Sequence, residues 1–191
     1  MRCCAPAPTH AVLARLGAAT GADRVCVFQN RFDVDAAPDT SALRHEWADP
    51  GATARCCDPP LREVSFTDVA PRWMRRMERG LSVRGDVAGF PAGLRALLER
   101  QGVVSLLAVP INLHGRFWGF VSFDSVSARR DWSGAELSVL RIVAASLGAA
   151  IERKRVLDEL RLSAAVVDST QDGVVIADLA GRILAVNRAY T

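Results

Sequence analysis

One uninterrupted helical pattern near the C-terminus most constrains what this chain can fold into. Ser133 can cap a helix, and Glu136 stands three residues later, which is the capping-box arrangement. No proline or glycine occurs between residues 149 and 172. The apolar residues of this segment recur at alternating spacings of three and four: Leu137, Leu140, Ala144, Leu147 and Ile151. The pattern predicts a helix of up to ~35 residues, longer than one domain of this size needs.

Two strongly apolar runs precede this helix and predict a covered β-hairpin. Residues 103–110 are almost continuously apolar between Gly102 and Pro110, which is typical of a central strand. His114 and Gly115 supply the turn, and residues 116–124 form the partner strand. Strict alternation predicts one face with Phe117, Gly119, Val121 and Phe123, and another with Trp118, Phe120, Ser122 and Asp124.

The N-terminal half is richer in loops, since seven of the nine prolines lie at or before Pro71. A first helix is predicted from Thr9 to Gly21, followed by neighbouring strands at residues 24–28 and 42–47. Residues 49–70 form a long irregular connection of the kind that often serves as a binding loop. Two shorter helices follow, one from Pro71 to Gly80 and one from Pro91 to Gln101.

Composition narrows the class of protein. The chain is 50% hydrophobic and 24% charged, so it is a globular protein with room for one full domain and part of a second. Its net charge of +3 does not suggest nucleic acid as a partner. Charged residues interrupt the apolar stretches before they reach the length of a membrane span, and residues 1–10 lack a signal-peptide pattern. We expect a cytoplasmic protein without membrane insertion in this segment.

The five cysteines do not form a disulfide or metal framework, because no CxxC motif occurs. Cys56 and Cys57 are adjacent in the irregular connection. The simpler interpretation is that both are inert thiols, and the alternative is that they form a redox-sensing pair.

Catalytic and metal-binding motifs are absent from the sequence, which contains no phosphate loop, GxSxG or HExxH pattern. The three histidines are far apart, and no neighbour in sequence would tune the pKa of Asp124. We therefore predict no catalytic residue, no metal site and no enzyme, and the sequence identifies no cofactor.

Two clusters remain as candidates for binding. Trp47, Trp73, Phe90 and Trp118 lie in or near the region between the predicted second and third strands, where they could line a ligand cavity or fill the core. The helix after Pro71 also has a basic face, formed by Arg72, Arg75, Arg76 and Arg79. With no second basic segment to extend a phosphate track, this face is interpreted as a solvated surface.

Several motifs stand out by their order and spacing, at residues 16–25, Glu46, Trp47, Trp73, Gly80, Phe90, Pro91, 101–111, 115–124, Trp132, Ser133, Glu136 and 147–153. Over residues ~9 to 155 this arrangement resembles a bacterial GAF sensory domain. The tail from residue 164 looks like the opening strands of a PAS domain, in which Asp172, Gly173 and Asn187 are characteristic.

The resemblance implies an α+β fold with a central antiparallel sheet of five or six strands flanked by helices. It divides the chain into an N-terminal tail (1–8), a GAF domain (9–152), a linker or signalling helix (153–167) and an incomplete PAS domain (168–191), which begins as a hairpin. The chain lacks the NKFDE-type pattern of cyclic-nucleotide-binding members, and no cysteine lies in a recognisable bilin-attachment context.

The resemblance also implies a function, namely a regulatory sensor region upstream of a histidine kinase or of a diguanylate cyclase or phosphodiesterase. A ligand or redox signal would pass through the helical linker. The alternative is a structural dimerisation module that binds no small molecule. A parallel homodimer through the first and last GAF helices is expected, although the stripe from Leu137 to Ile151 could instead pack on its own sheet.

Overall fold

Five antiparallel strands form the central sheet, in the order β2-β1-β5-β4-β3. They are β1 (Arg24–Phe32), β2 (Pro38–Ala48), β3 (Val83–Asp86), β4 (Ser105–Leu113) and β5 (Arg116–Ser125). The structure, a computed structural model, describes residues 8–32, 38–52, 63–170 and 172–190. It divides into two units, Met1–Gly148 and Ala149–Thr191, and the sheet belongs to the first.

Helices cover both faces of this sheet. The helices are α1 (Pro8–Thr20), α2 (Phe66–Val69), α3 (Pro71–Glu78), α4 (Ala92–Glu99) and α5 (Gly134–Ser169). Successive strand residues point to opposite faces, so Val25 packs with α1 and the start of α5, whereas Phe28 packs with α2 and α3. The predicted α+β fold with a flanked antiparallel sheet is confirmed.

The hairpin between β4 and β5 follows the sequence prediction at its turn but not along its whole length. His114 and Gly115 both have positive φ, 49° and 75°, as a tight hairpin turn requires. Ile111 pairs with Gly119, but Asn112 pairs with Phe117, so Trp118 is an extra residue in β5. This bulge reverses the alternation, and the prediction for Phe117 and Trp118 is wrong: the first packs in the α2–α4 layer and the second against the α1–α5 layer.

One strand and one α-helix among the described residues were not predicted. The strand β3 is four residues long with only Val83 buried, and α2 spans four residues inside the expected irregular connection. Both are too short for hydrophobic periodicity to identify.

The start of α5 is the predicted capping box. Ser133 Oγ accepts a hydrogen bond from the Glu136 N–H at 3.1 Å, and Glu136 Oε2 accepts one from the Ser133 N–H at 2.8 Å. Leu140 and Ala144 are buried in the core, and Leu137 packs against it. The predicted apolar stripe is therefore used, at least up to Ala144, in packing on its own sheet.

Part of α5 is a longer apolar run than the sequence led us to expect. Within the described residues, Gly134–Val166 of α5 is long and apolar enough to cross a membrane by length and composition. Only Glu136 and Arg141 are charged between Gly134 and Ile151. This is weak evidence for a membrane span, because core helices pass the same test and Leu140 and Ala144 lie in the core.

The second unit contains the rest of α5 and the predicted hairpin, formed by β6 (Val175–Ala177) and β7 (Ile183–Val186). Asn187 is buried and ties the segment before β6 to the end of β7: its Oδ1 accepts from the Val174 N–H at 2.7 Å, and its Nδ2 donates to the Asp172 carbonyl at 2.9 Å. The apolar side chains of both strands are exposed.

Candidate functional site

A cluster of buried polar side chains lies on the sheet face that α2, α3 and α4 cover. The antiparallel register pairs Cys26 with Glu46 on one side and with Ser122 on the other, and pairs Arg24 with Asp124. All five side chains belong to residues that are at most 6% exposed, and all line one small internal cavity. The cluster is a polar patch in an apolar layer and is the first candidate for a binding site.

The Arg24–Asp124 pair dominates the electrostatics of this cavity. Arg24 Nη2 donates to Asp124 Oδ2 at 3.4 Å. Burial raises the pKa of Asp124, while Arg24 and a hydrogen bond from Ser122 act in the opposite direction. Arg24 is not a neighbour of Asp124 in sequence: the sheet register brings it there from 100 residues away, which the local sequence around Asp124 does not show.

Cys26 is a protonated thiol in this environment. Burial raises its pKa well above the ordinary value, and the nearby carboxylates of Asp124 and Glu46 raise it further. Its Sγ lies 4.0 Å from Glu46 Oε1, to which it donates. Because the thiolate is the reactive form, this environment does not favour nucleophilic or redox chemistry at Cys26.

Aromatic rings fill most of the space above the polar cluster. Phe28 and Phe120 are stacked with centroids 4.8 Å apart, and Phe66 contacts both edge-on at 5.7 and 5.4 Å. The remaining cavity has a volume of about 30 Å³. That is roughly the share of one water molecule in the liquid and far below the ~300 Å³ of a small-molecule pocket.

The sheet separates the four predicted pocket residues into two pairs. Trp73 and Phe90 contact each other edge to face, with centroids 4.8 Å apart. Trp47 and Trp118 pack against the cluster on the opposite face, and the Trp47 ring lies so close to Gly17 of α1 that no Cβ would fit there. Trp47 and Trp118 therefore do not share a cavity with Trp73 and Phe90.

Trp73 and Phe90 border a second, open site at the β3 edge of the sheet, which we call the arginine groove. Its volume is about 700 Å³. Its cationic lining residues are Arg72, Arg75, Arg76, Arg79, Arg84 and Arg141. The sequence predicted a solvated basic face on α3 alone; it gave no signal that Arg84 of β3 and Arg141 of α5 complete the same groove.

The two remaining candidate residues, Cys56 and Cys57, lie outside the described residues. Among the residues that the structure does describe, no group of three or more His, Cys, Asp or Glu side chains could hold a metal ion.

Comparisons with known proteins agree with this architecture. The GAF domain family matches residues 9–151. A methanogenesis regulatory histidine kinase of Methanothrix harundinacea is 36% identical over 149 residues, which is 78% of this chain but 17% of that protein. An uncharacterised protein of Azorhizobium caulinodans is 27% identical over 93% of this chain and 25% of its own length. The chain thus spans a quarter or less of these relatives.

Solved structures show the same fold at low sequence identity. The blue-light-absorbing PixJ GAF domain of Thermosynechococcus elongatus has a TM-score of 0.65 at 18% identity, covering 81% of this chain and 88% of that one. The phycocyanobilin-bound GAF domain of a cyanobacterial phytochrome has a TM-score of 0.63 at 19% identity, covering 77% and 84%. Because the family match covers about three quarters of its length, the chain belongs to the GAF domain family, whose members are sensory domains.

Proposed function

We propose that the chain is the regulatory sensor region of a signal-transduction protein, in which a change in the GAF domain alters α5 and is passed along it to an output domain. The observation that carries the proposal is the continuity of α5. Leu140 and Ala144 lie in the GAF core, and the same helix runs without a break past residue 151 to Ser169. A structural change at the core therefore has a continuous helix through which to act.

A histidine kinase is the proposed output, because a relative sharing 36% identity is a regulatory histidine kinase. A diguanylate cyclase or phosphodiesterase is the second candidate.

The chain is proposed to contain three segments. We assign residues 9–152 to the GAF domain, 153–167 to the signalling helix and 168–191 to the start of a PAS domain. The β6–β7 hairpin and the hydrogen bonds of Asn187 support the last assignment. The proposed location is the cytoplasm.

The signal is proposed to be a small molecule or an oxidant, and the cavity under α2–α4 is too small for a tetrapyrrole. The cavity under α2–α4 has a volume of about 30 Å³, and its cysteine, Cys26, is buried with a raised pKa.

The redox alternative rests on Cys56 and Cys57. Selective modification of these two after mild peroxide, detected by mass spectrometry, would support it, and uniform or absent modification would exclude it.

Inserting residues after Arg155 in the parent protein tests transmission through α5. One inserted residue rotates everything downstream by about 100°, whereas seven restore the phase to within about 20°. Local ion pairs such as Lys154–Asp158 and Arg155–Glu159 support the helix at this point. We expect the single insertion to change the output or its response and the seven-residue insertion to retain both. Normal regulation with the single insertion would refute transmission through α5.

The competing proposal is a structural dimerisation module without a ligand, which the aromatic filling of the sheet-face cavity favours. Both proposals include a homodimer through the terminal helices. With the Leu140 stripe buried, the dimer contact is proposed to use the neighbouring face of α5, where Val139 and Ile142 are exposed. Light scattering should then give twice the 20.6 kDa chain mass at micromolar concentration, and a monomer would contradict dimerisation of this chain.

A further inference from the structure

We propose that the arginine groove binds a small molecule that carries several phosphate groups. This inference goes beyond the signalling role, and each stands if the other fails. The groove is distinct from the cavity under α2–α4, because Trp73 is the one described residue that lines both. Its position at the edge of the sheet leaves it open to solvent, as a site for a soluble ligand must be.

The first argument is uncompensated charge. Six arginines line the groove, and none of its described lining residues is acidic. Within the part of the chain that the structure describes, none of the six forms an ion pair. The carboxylates of Asp86 and Glu136 are engaged elsewhere, with Arg129 and Arg130. A concave surface of one charge sign attracts ions of the opposite sign.

The arginines of α3 and its C-terminal end repel one another in the protein without a bound ligand. Arg72 and Arg76 are four residues apart, as are Arg75 and Arg79, so each pair places like charges on one helix face. Glu78 is the one acidic residue of α3 and is not part of the groove lining. A bound polyanion would relieve this repulsion and stabilise the protein.

The second argument is that three of the arginines are already held in place by neutral acceptors. Arg76 Nε donates to the Ser82 carbonyl at 3.0 Å, and Arg141 Nε approaches Ser82 Oγ at 3.4 Å. Arg84 donates to the Trp132 carbonyl. These bonds orient the guanidinium groups without neutralising them, which leaves donors and full charge available for the paired oxygens of a phosphate.

Size and apolar lining favour a small molecule over nucleic acid. A volume of about 700 Å³ lies within the usual range for small-molecule sites. Trp73, Phe90 and Leu137 add an apolar wall against which a ring or carbon skeleton can lie. A duplex would instead need a phosphate track that continues beyond the groove.

Isothermal titration of the 191-residue chain with inorganic triphosphate tests the proposal, with sulfate at matched ionic strength as the ion control. We expect saturable 1:1 binding of triphosphate and a raised melting temperature. Arg72→Gln/Arg75→Gln removes two exposed groove arginines and should weaken binding by about tenfold or more. The matched variant Arg15→Gln/Arg100→Gln removes the same charge from exposed residues outside the groove and should leave the affinity unchanged.

Several results would overturn the proposal. They are no binding of triphosphate, equal binding of sulfate, or equal loss of affinity in the two double variants, which would indicate a general charge effect. Displacement of triphosphate by a short DNA duplex or by anionic phospholipid vesicles at lower molar concentration would also overturn it, because the site would then serve a macromolecule or a membrane. Circular dichroism of both variants establishes that each is folded before the affinities are compared.

Discussion

At the scale of single residues, Gly119 is the position where the sheet tolerates no side chain. A Cβ there would lie 2.1 Å from the Phe28 carbonyl oxygen on the adjacent strand. Gly119→Ala must shift backbone rather than a flexible side chain, so we expect a loss of about 3 kcal/mol in the free energy of unfolding. Gly134→Ala is the control, since its Cβ would meet no atom within 4 Å. Urea denaturation measures both, and similar stabilities would contradict the predicted close approach.

The lowered pKa of the Glu136 carboxyl predicts how the stability of the folded protein depends on pH. The Ser133 N–H and hydroxyl, followed by Arg130, lower its pKa from 4.5 to about 2. Between these values the unfolded chain binds more protons than the folded one, so the contribution of Glu136 is fully present above about pH 4.5 and is lost as the pH falls toward 2.

Glu136→Gln should therefore flatten the loss of stability on acidification. We expect the urea midpoint of the unchanged protein to fall more between about pH 6 and pH 3 than that of the variant. Glu78→Gln, at an exposed position on α3, serves as the control and should follow the unchanged protein. An identical pH dependence in all three proteins would contradict the assigned role of Glu136.

The same residues explain which features the sequence could predict. Ser133 and Glu136 are three positions apart, so their reciprocal hydrogen bonds are visible as a local motif. The Arg24–Asp124 pair depends on strand register across 100 residues, which no local pattern encodes. The sheet face on which Trp118 lies depends on a bulge. One extra residue in a strand reverses the predicted sheet face of every residue beyond the bulge.

At the scale of elements, α5 presents two contrasting faces to mutation. Leu140 is 2% exposed and Ile142 is 69% exposed on the same helix. Leu140→Ala should cost about 2–5 kcal/mol because it leaves a cavity between helix and sheet, whereas Ile142→Ala should change monomer stability by less than about 0.5 kcal/mol. Denaturation at low protein concentration checks both, and a large effect at Ile142 under those conditions would contradict its exposure.

Elements with a long periodic pattern of apolar residues could be predicted from the sequence. Elements that are defined by contacts with distant parts of the chain could not. The spacing of Leu137, Leu140 and Ala144 indicates which residues share a face of α5, but it does not distinguish a second copy from the protein's own sheet as the partner. The strand β3 has a single buried residue, Val83, and is defined by its hydrogen bonds to β4. The arginine groove escaped prediction for a related reason, since Arg84 and Arg141 join α3 only in the folded chain.

At the scale of the whole molecule, protection from hydrogen exchange should differ between the two units. Leu106, Leu107, Ala108 and Val109 of β4 are at most 2% exposed, and the first three pair with strands on both sides. Ile176 of β6 is 49% exposed and Leu184 of β7 is 63% exposed, in a sheet of only two strands. Such a hairpin is marginally stable by itself, so we expect its amides to exchange at least ~100-fold faster than those of β4.

The proposed PAS assignment adds a second condition to this experiment. If residues 168–191 begin a PAS domain, the exposed side chains of β6 and β7 are core residues that later elements of the parent protein cover, and burial would then slow their exchange. We expect the amides of Ile176 and Leu184 to be strongly protected in the parent protein and weakly protected in this chain, with β4 unchanged as the internal control. Equal exchange of the hairpin in both proteins would refute the assignment, because strands of a folded domain core cannot remain as open as an isolated hairpin.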